Sequence, residues 1–307
     1  MGRELARLYL SHDTTKTIIV LSRDEQKQEE MARQFNDSRL RFVLGDVRDE
    51  ESLYRAFDGV KLVVHAAALK RVGGGEDNPL EYIKTNVDGT INVCKAALHC
   101  RVDKALLLST DKAVAPVNLY GSTKQMGEKI FLSYNNVGTR DCEFAVIRYG
   151  NILGSNGSVV EKWRSDKNSY VVDAYRFWIS KEEAAKAIQY VAGEFCAGEI
   201  AICKTFSSDV KLLYKYVAGS KNTIYGHLSK GERKIEYLMS EHEGGLAFND
   251  NNIVWLLPDG EGSASYAYRE EQHINAMPVM NYDSYTNPRR IQCPAKFHEA
   301  VADAIPR

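Results

Sequence analysis

The sequence predicts an α/β chain built around a doubly wound parallel sheet, and three observations carry that expectation. Short apolar runs alternate with helical patterns from Thr17 to Arg148, the rhythm of βαβ units. Runs such as TIIVL at 17–21 and LLLS at 106–109 are apolar without alternation, as befits strands covered on both faces. Polar clusters stand directly behind these runs, at the strand ends where open α/β sheets place their chemistry.

In chain order, residues 2–10 (GRELARLYL) carry Leu5, Leu8 and Tyr9 in the pattern of a short amphipathic helix. Residues 17–21 form a buried strand that ends in Ser22, Arg23, Asp24 and Glu25, and 25–35 a helix. A strand at 41–44 runs into Gly45-Asp46-Val47-Arg48-Asp49, followed by a short helix at 53–57. The strand at 62–65 leads into Ala66, Ala67, Ala68, Leu69 and Lys70. Asn78-Pro79 opens a long helix to about residue 100, with Asn86 near its middle. The central strand at 106–109 delivers Thr110, Asp111 and Lys112 to its end. After a loop containing Pro116, a helix at 119–134 bears Tyr120 and Lys124 one turn apart on a shared face. A strand at 144–148 then gives way to Tyr149-Gly150-Asn151. Beyond Asn151 the alternation becomes irregular, which divides the chain into a sheet domain at 1–150 and a smaller lobe with a tail, interleaved with it, at 151–307. Residues 249–252 and 259–265 read as exposed turns or a mobile loop.

At 307 residues and 44% hydrophobic, the chain buries a full core. Forty basic residues against 41 acidic ones give a net charge of −1, so no field advertises nucleic acid or an anionic membrane. The six cysteines are scattered, with neither a C-x-x-C pair nor metal-ligand spacing, and no metal is expected. They read as reduced thiols of a cytoplasmic protein. No run approaches the roughly 20 apolar residues of a membrane span.

Arg23 after the second-strand pattern of a dinucleotide fold suits the 2′-phosphate of NADP rather than the bare ribose of NAD; a solvated strand end is the plainer reading. Asp46 and Val47 would flank an adenine ring, although Asp after Gly is also ordinary turn chemistry. Tyr120 and Lys124 form a hydride-transfer pair if the ammonium lowers the phenol's pKa, so that a phenolate takes a hydroxyl proton. A helix-surface pair is the alternative. Asp111 and Lys112 set an acid beside a base, or close a salt-bridged turn. His65, at the end of an apolar strand, reads as a packed core histidine.

With these stretches in view, the chain resembles the nucleotide-sugar branch of the extended short-chain dehydrogenases, and within it the inverting UDP-N-acetylglucosamine 4,6-dehydratases and capsular polysaccharide biosynthesis proteins. The resemblance rests on SRDE at 22–25, GDVRD at 45–49, HAAALK at 65–70, NPLEYIKTNVDGT at 78–90, STDKA at 109–113, NLYGSTK at 118–124, RYGNILGSNGSVV at 148–160 and RFWI at 176–179. It implies a Rossmann-like fold, an NADP cofactor and a UDP-sugar substrate, with self-association into a homo-oligomer. As catalytic residues it implies Thr110, Asp111, Lys112, Tyr120 and Lys124. On the cofactor side it implies Gly2, Ser22, Arg23, Lys27, Asp46, Val47, Ala66, Ala67, Ala68, Lys70, Asn86, Tyr120 and Lys124. On the substrate side it implies Lys70, Asn151, Ser158, Val159, Arg176 and Glu232. The chemistry implied is oxidation at carbon 4, loss of water across carbons 5 and 6, and reduction at carbon 6. An epimerase or reductase of the same fold, and a catalytically inactive homologue, are the alternatives.

Four departures from the pattern accompany it. The family opens with a strand and a glycine-rich turn, of which only Gly2 is matched, so Met1 reads as an internal methionine or a truncation point. The resemblance then implies a sheet lacking its first strand, whose neighbours each lose a partner. Gly73-Gly74-Gly75 replaces a stiffer, proline-containing segment of the substrate loop. The stretch between Val160 and Arg176 is several residues short. Ser229 stands where an RPGEK motif carries arginine, while Gly231 and Glu232 persist. Tyr282 to Asn287 matches a tail motif of the family.

Overall fold

The computed structural model describes residues 1–258, apart from 138–141, 156–157, 166–169, 219–223, 241–242, 244–246 and 251–252. The expectations for 251–252, for 259–265 and for the tail motif at 282–287 lie outside the described residues.

The chain starts with helix α1 (Gly2–Leu10) and continues through β1 (Ile18–Ser22), α2 (Glu25–Phe35), β2 (Leu40–Leu44), α3 (Glu50–Phe57) and β3 (Leu62–His65). Asp24 and Asp49 cap α2 and α3, their carboxylates accepting from Lys27 N and Glu51 N. A short helix α4 (Val72–Asp77) follows, so the three glycines expected in a loop lie in a helical turn. Tyr82 explains it: its hydroxyl donates to Arg71 O at 2.6 Å, and its ring lies against Gly75, where an added Cβ would approach to 3.3 Å.

The expected long helix is three segments in register: α5 (Pro79–Tyr82), a π-helical stretch (Ile83–Asp88) and α6 (Gly89–His99). Then come β4 (Lys104–Leu108), a 3₁₀ turn (Asp111–Ala113), α7 (Leu119–Ser133) and β5 (Glu143–Arg148). The distal half contributes β6 (Asn151–Ile152), α8 (Val159–Ser165), β7 (Tyr170–Val172), β8 (Tyr175–Ile179) and α9 (Lys181–Glu194). After these lie β9 (Ile200–Cys203), β10 (Phe206–Asp209), α10 (Val210–Ala218), β11 (Ile224–Gly226), β12 (Ala247–Asp250) and β13 (Ile253–Leu256). Asn249 and Asp250 are therefore strand residues rather than the expected turn, and Asp250 is buried, accepting from the Tyr190 hydroxyl at 2.5 Å.

The main sheet has the order β12-β13-β9-β5-β4-β3, parallel from β3 through β9 and antiparallel at β13 and β12. Strands β9, β12 and β13 lie beyond residue 150, so the distal half completes the sheet as well as forming its own lobe. Side chains of β4 and β5 alternate between two cores. Leu106, Leu108, Ala145 and Ile147 face α9 and Leu5 of α1; Ala105, Leu107, Phe144 and Val146 face α3, α6 and Phe131 of α7. Coverage of both faces accounts for the unbroken apolar runs. Strands β1 and β2 pair with each other in parallel, as a separate two-stranded sheet. Thus β1 and β3 have one partner each among the described residues. The lobe is built on β10-β8-β6 and β11-β7, over a core containing Trp163, Trp178, Leu213 and Tyr214.

Candidate active site

Pairing of β4 with β5 runs on past the strand ends: Ser109 N donates to Ile147 O at 2.7 Å and Asp111 N to Tyr149 O at 3.2 Å. This continuation brings Asp111 and Lys112 opposite Asn151. Thr110 is extended and caps the 3₁₀ turn, its hydroxyl donating to Asp111 Oδ1 at 2.8 Å and accepting from Lys112 N at 3.3 Å. Ala115, in the next turn, holds φ at +42°, a conformation that costs a non-glycine residue about 1 kcal/mol.

Helix α7 is set against this turn from the other side. Asn118 caps it, accepting from Gly121 N at 2.7 Å, and Glu76 accepts from Leu119 N at 2.9 Å. A Cβ on Gly121 would stand 2.2 Å from Lys112 O, so only glycine allows the helix to start this close to the acid-base turn. The glycine of YGSTK thereby places Tyr120 against this turn, near enough to Thr110 for that hydroxyl to favour the phenolate.

Lys112 Nζ lies 3.1 Å from Asp111 Oδ1, 2.9 Å from Glu236 Oε1 and 3.2 Å from Asn151 Oδ1. The Asn151 amide donates to Glu236 Oε2 at 3.1 Å and to Phe177 O at 3.2 Å, and reaches Asp111 Oδ2 at 3.5 Å. Arg176 Nε stands 3.4 Å from Glu236 Oε1. Asp111, Lys112 and Glu236 line a common cavity with Asn118, Glu232 and Arg233. The Asp111 side chain is fully covered while Lys112 keeps 19% exposure, so the amine is the more accessible of the two.

Burial, reinforced by the Glu236 charge, raises the pKa of Asp111 well above the carboxylate range. Burial also works against ionisation of Glu236, but Lys112 and Arg176 outweigh it and hold that group ionised. Burial opposes the Lys112 ammonium, yet the two carboxyl groups raise its pKa. Tyr120 is pushed up to about 12 by burial, with Lys112 and Thr110 pulling it back. The expected partner Lys124 is brought down to about 8 by burial, and its ammonium donates to Leu108 O at 2.7 Å. In the free site it is Lys112 that draws the Tyr120 pKa down against burial.

A profile described as "Polysaccharide biosynthesis protein" matches residues 1–255. The chain belongs to that family. Among curated relatives, an inverting UDP-N-acetylglucosamine 4,6-dehydratase of Campylobacter jejuni is 36% identical over 301 aligned residues, covering 94% of this chain and 90% of the relative. A UDP-glucose 4-epimerase of Rickettsia felis is 33% identical over 302 residues, covering 94% and 89%. Among solved structures, Pen from Bacillus thuringiensis superposes with a TM-score of 0.79 at 28% identity, covering 84% of this chain and 85% of that one. DesIV, a dTDP-glucose 4,6-dehydratase from Streptomyces venezuelae, superposes at 0.71 with 20% identity, covering 91% and 96%. The last figure speaks for the fold alone.

In this member of the polysaccharide biosynthesis protein family, the residues expected on the cofactor side fall into two groups. Ser22, Arg23, Asp46, Ala66, Ala67 and Ala68 stand at or just past the C-terminal ends of β1, β2 and β3. Arg23 reaches Asp46 Oδ2 at 3.4 Å, and Arg48, which sequence reasoning passed over, takes the same oxygen at 2.7 Å. Lys27 is paired with Asp24. Val47 is buried under Gly89. Asn86 is buried too: its amide clasps the Leu69 backbone at 2.8 and 2.9 Å and donates to Thr123 at 3.0 Å. It positions the segment from Ala66 to Lys70 rather than facing open space. His65 is a core histidine, 3.1 Å from the Thr90 hydroxyl. Gly2 and Lys70 are exposed.

On the substrate side, Asn151 joins the site and Glu232 lines its cavity, while Arg176 is buried behind Glu236 and bonded to Tyr175 O at 2.9 Å. Ser158 Oγ has no partner among the described residues, and Val159 beside it is exposed. Ser229 packs its amide on Glu232 at 3.2 Å. Glu236 and Arg233 were missed in the sequence because nothing in their spacing ties them to Asp111; the bridge between Ile235 and Tyr175 delivers them from far along the chain.

Proposed function

We propose that the chain is a nucleotide-sugar 4,6-dehydratase that inverts carbon 5, acting on UDP-N-acetylglucosamine with NADP. The observation that supports the reading is the close packing of Gly121 on the Lys112 backbone, which sets the start of α7, with Tyr120, against the turn that carries Asp111 and Lys112, while Asn151 lies 3.2 Å from the Lys112 amine. The cofactor edge is compatible with a dinucleotide. Three consecutive alanines leave an open shelf past β3, and Arg23 with Arg48 offers two guanidinium groups at the ends of β1 and β2, which favours the 2′-phosphate of NADP over NAD.

A nicotinamide bound here would accept a hydride from carbon 4 of the hexose and return it to carbon 6. Tyr120 takes the carbon 4 hydroxyl proton, helped by Thr110, and the resulting ketone acidifies the proton on carbon 5. Lys112, as free amine, removes that proton. Asp111, whose burial keeps its carboxyl protonated, gives its proton to the departing carbon 6 hydroxyl, which leaves as water. A second proton reaches carbon 5 from the opposite face and balances the one held by Tyr120. Lys124 supports the nicotinamide ribose, and Asn151 and Glu232 hold the sugar nucleotide.

The test is incubation of the chain with UDP-N-acetylglucosamine and NADP, followed by mass spectrometry of the sugar nucleotide. Loss of one water supports the reading, and unchanged sugar under saturating cofactor overturns it. Relatives named as epimerases give the second reading, in which a stereoisomer of unchanged mass accumulates. Cytoplasmic location and assembly into a homo-oligomer belong to the proposal as well. Among the described residues no helix is long and apolar enough to cross a membrane.

A further inference from the structure

Glu236 has no role in the steps above, yet it touches both groups that exchange protons with the substrate. Its Oε1 lies 2.9 Å from Lys112 Nζ, and the same ammonium lies 3.1 Å from Asp111 Oδ1. The Asn151 amide bridges the two carboxyls, at 3.1 Å from Glu236 and 3.5 Å from Asp111. Both carboxyls are buried and share one ammonium and one amide, and two such groups so close together are costly to ionise at once, so one proton is held between them. The charged and titratable groups facing this pair are Lys112, Arg176 behind Glu236, Tyr120 beside Thr110, and Glu232 and Arg233 along the cavity.

We propose that Glu236 is the proton-exchange partner of Asp111 and Lys112: it keeps Asp111 loaded in the free site and receives the proton that Lys112 sheds before acting as base. The inference rests on the dehydratase reading of the same site. In the free site the proton belongs to Asp111, because Lys112 and Arg176 stabilise the anion on Glu236. When substrate fills the cavity and excludes water, the buried ammonium-carboxylate pair loses its solvation and the neutral form gains relative to it. An N–H bond of Lys112 then breaks and an O–H bond forms on Glu236. The freed amine takes the carbon 5 proton, the Asp111 O–H bond breaks as water departs, and Glu236 returns its proton to the Asp111 carboxylate. All three groups end as they began. The net transfer is one proton from carbon 5 to the leaving hydroxyl. Glu236 is a positioning residue in this scheme, since it acts only through its two neighbours.

The experiment uses the full chain as wild type, Glu236→Gln, Glu236→Asp and Asp111→Asn. Two quantities are followed across pH: deuterium exchange at carbon 5 of UDP-N-acetylglucosamine in heavy water, and the infrared carbonyl stretch of protonated carboxyl groups. In wild type a protonated-carboxyl band that Asp111→Asn removes is expected to persist above the ordinary carboxylate range. Glu236→Gln, which keeps size and one acceptor oxygen but neither charge nor titrating proton, is expected to lower exchange at least 100-fold. It is also expected to move that band's titration to lower pH by at least one unit, with Glu236→Asp restoring part of both. An unchanged pH profile and band in Glu236→Gln overturns the proposal. So does a wild-type spectrum without the Asp111 band, a result that needs no Glu236 variant to fold. A band that depends on Glu236 in a protein that leaves the sugar intact retires the dehydratase reading and keeps the link between the two carboxyls.

Discussion

Tyr120 lies next to Thr110 with its phenol pushed up to about 12 by burial, so the phenolate is a minor form of the free protein. Substrate and cofactor then have to supply the charge that draws the proton off, and removing the phenol removes the step. Tyr120→Phe is expected to lower water loss from UDP-N-acetylglucosamine by roughly 100- to 10,000-fold, the usual worth of a positioned acid or base, with circular dichroism unchanged. His65 makes a separate prediction about acid. Burial, aided by Lys124, lowers its pKa from 6.5 to about 3, so the folded imidazole stays neutral where the unfolded one gains a proton. With a folded pKa below the unfolded one, stability is present above pH 6.5 and drains away as pH falls toward 3. Urea titrations at pH 7 and pH 5 are expected to show that loss in wild type and a smaller one in His65→Gln.

At the scale of elements, α7 is fixed at both ends. Its start abuts the Lys112 backbone through Gly121, and its second half offers Glu128 to Arg148 of β5 at 2.6 Å, an ion pair with both side chains buried. Glu243 joins the same guanidinium at 2.7 Å. Removing one member of a buried pair strands the other, so Arg148→Met is expected to cost about 3–5 kcal/mol in urea denaturation. Replacing Glu128 by leucine as well should recover part of that loss. Gly121→Ala forces a methyl against the Lys112 carbonyl, and we expect about 1–3 kcal/mol of destabilisation with a larger fractional loss of dehydration rate. Elements whose signals are local were legible in the sequence. Helix α2 between Asp24 and its left-handed Asn36, and strand β3 with its apolar run, fall where patterning put them. The place of Asp111 and Lys112 just behind β4 and of Tyr120 in the first turn of α7 was legible as well, because strand-end and helix-start signals are local. The π-helical stretch around Asn86 was not, since it depends on Leu69 and Thr123 docking from elsewhere. Neither was Glu236, whose importance arises from a contact made across more than 120 positions of chain.

For the whole molecule, order is unevenly distributed. Leu106 and Leu107 of β4 are fully covered, each contributing on the order of 2 kcal/mol by burial, and β4 is paired on both sides. Every residue of β1 is only partly buried, and its sheet has two strands. Amides of β1 and β2 are therefore expected to exchange with deuterium well before those of β4 and β5, which mass spectrometry of peptide fragments will read directly. Rates uniform across the two sheets would contradict that gradient.

The guanidinium of Arg148 and the amine of Lys112 are each gripped by a group from the last stretch of the lobe, Glu243 and Glu236. During synthesis the nascent chain exposes its phenol, its first carboxyl and its amine long before either of those partners leaves the ribosome. Until they emerge, Arg148 has only Glu128 and Lys112 only Asp111 as counter-charge, so the workshop is laid out early and completed late.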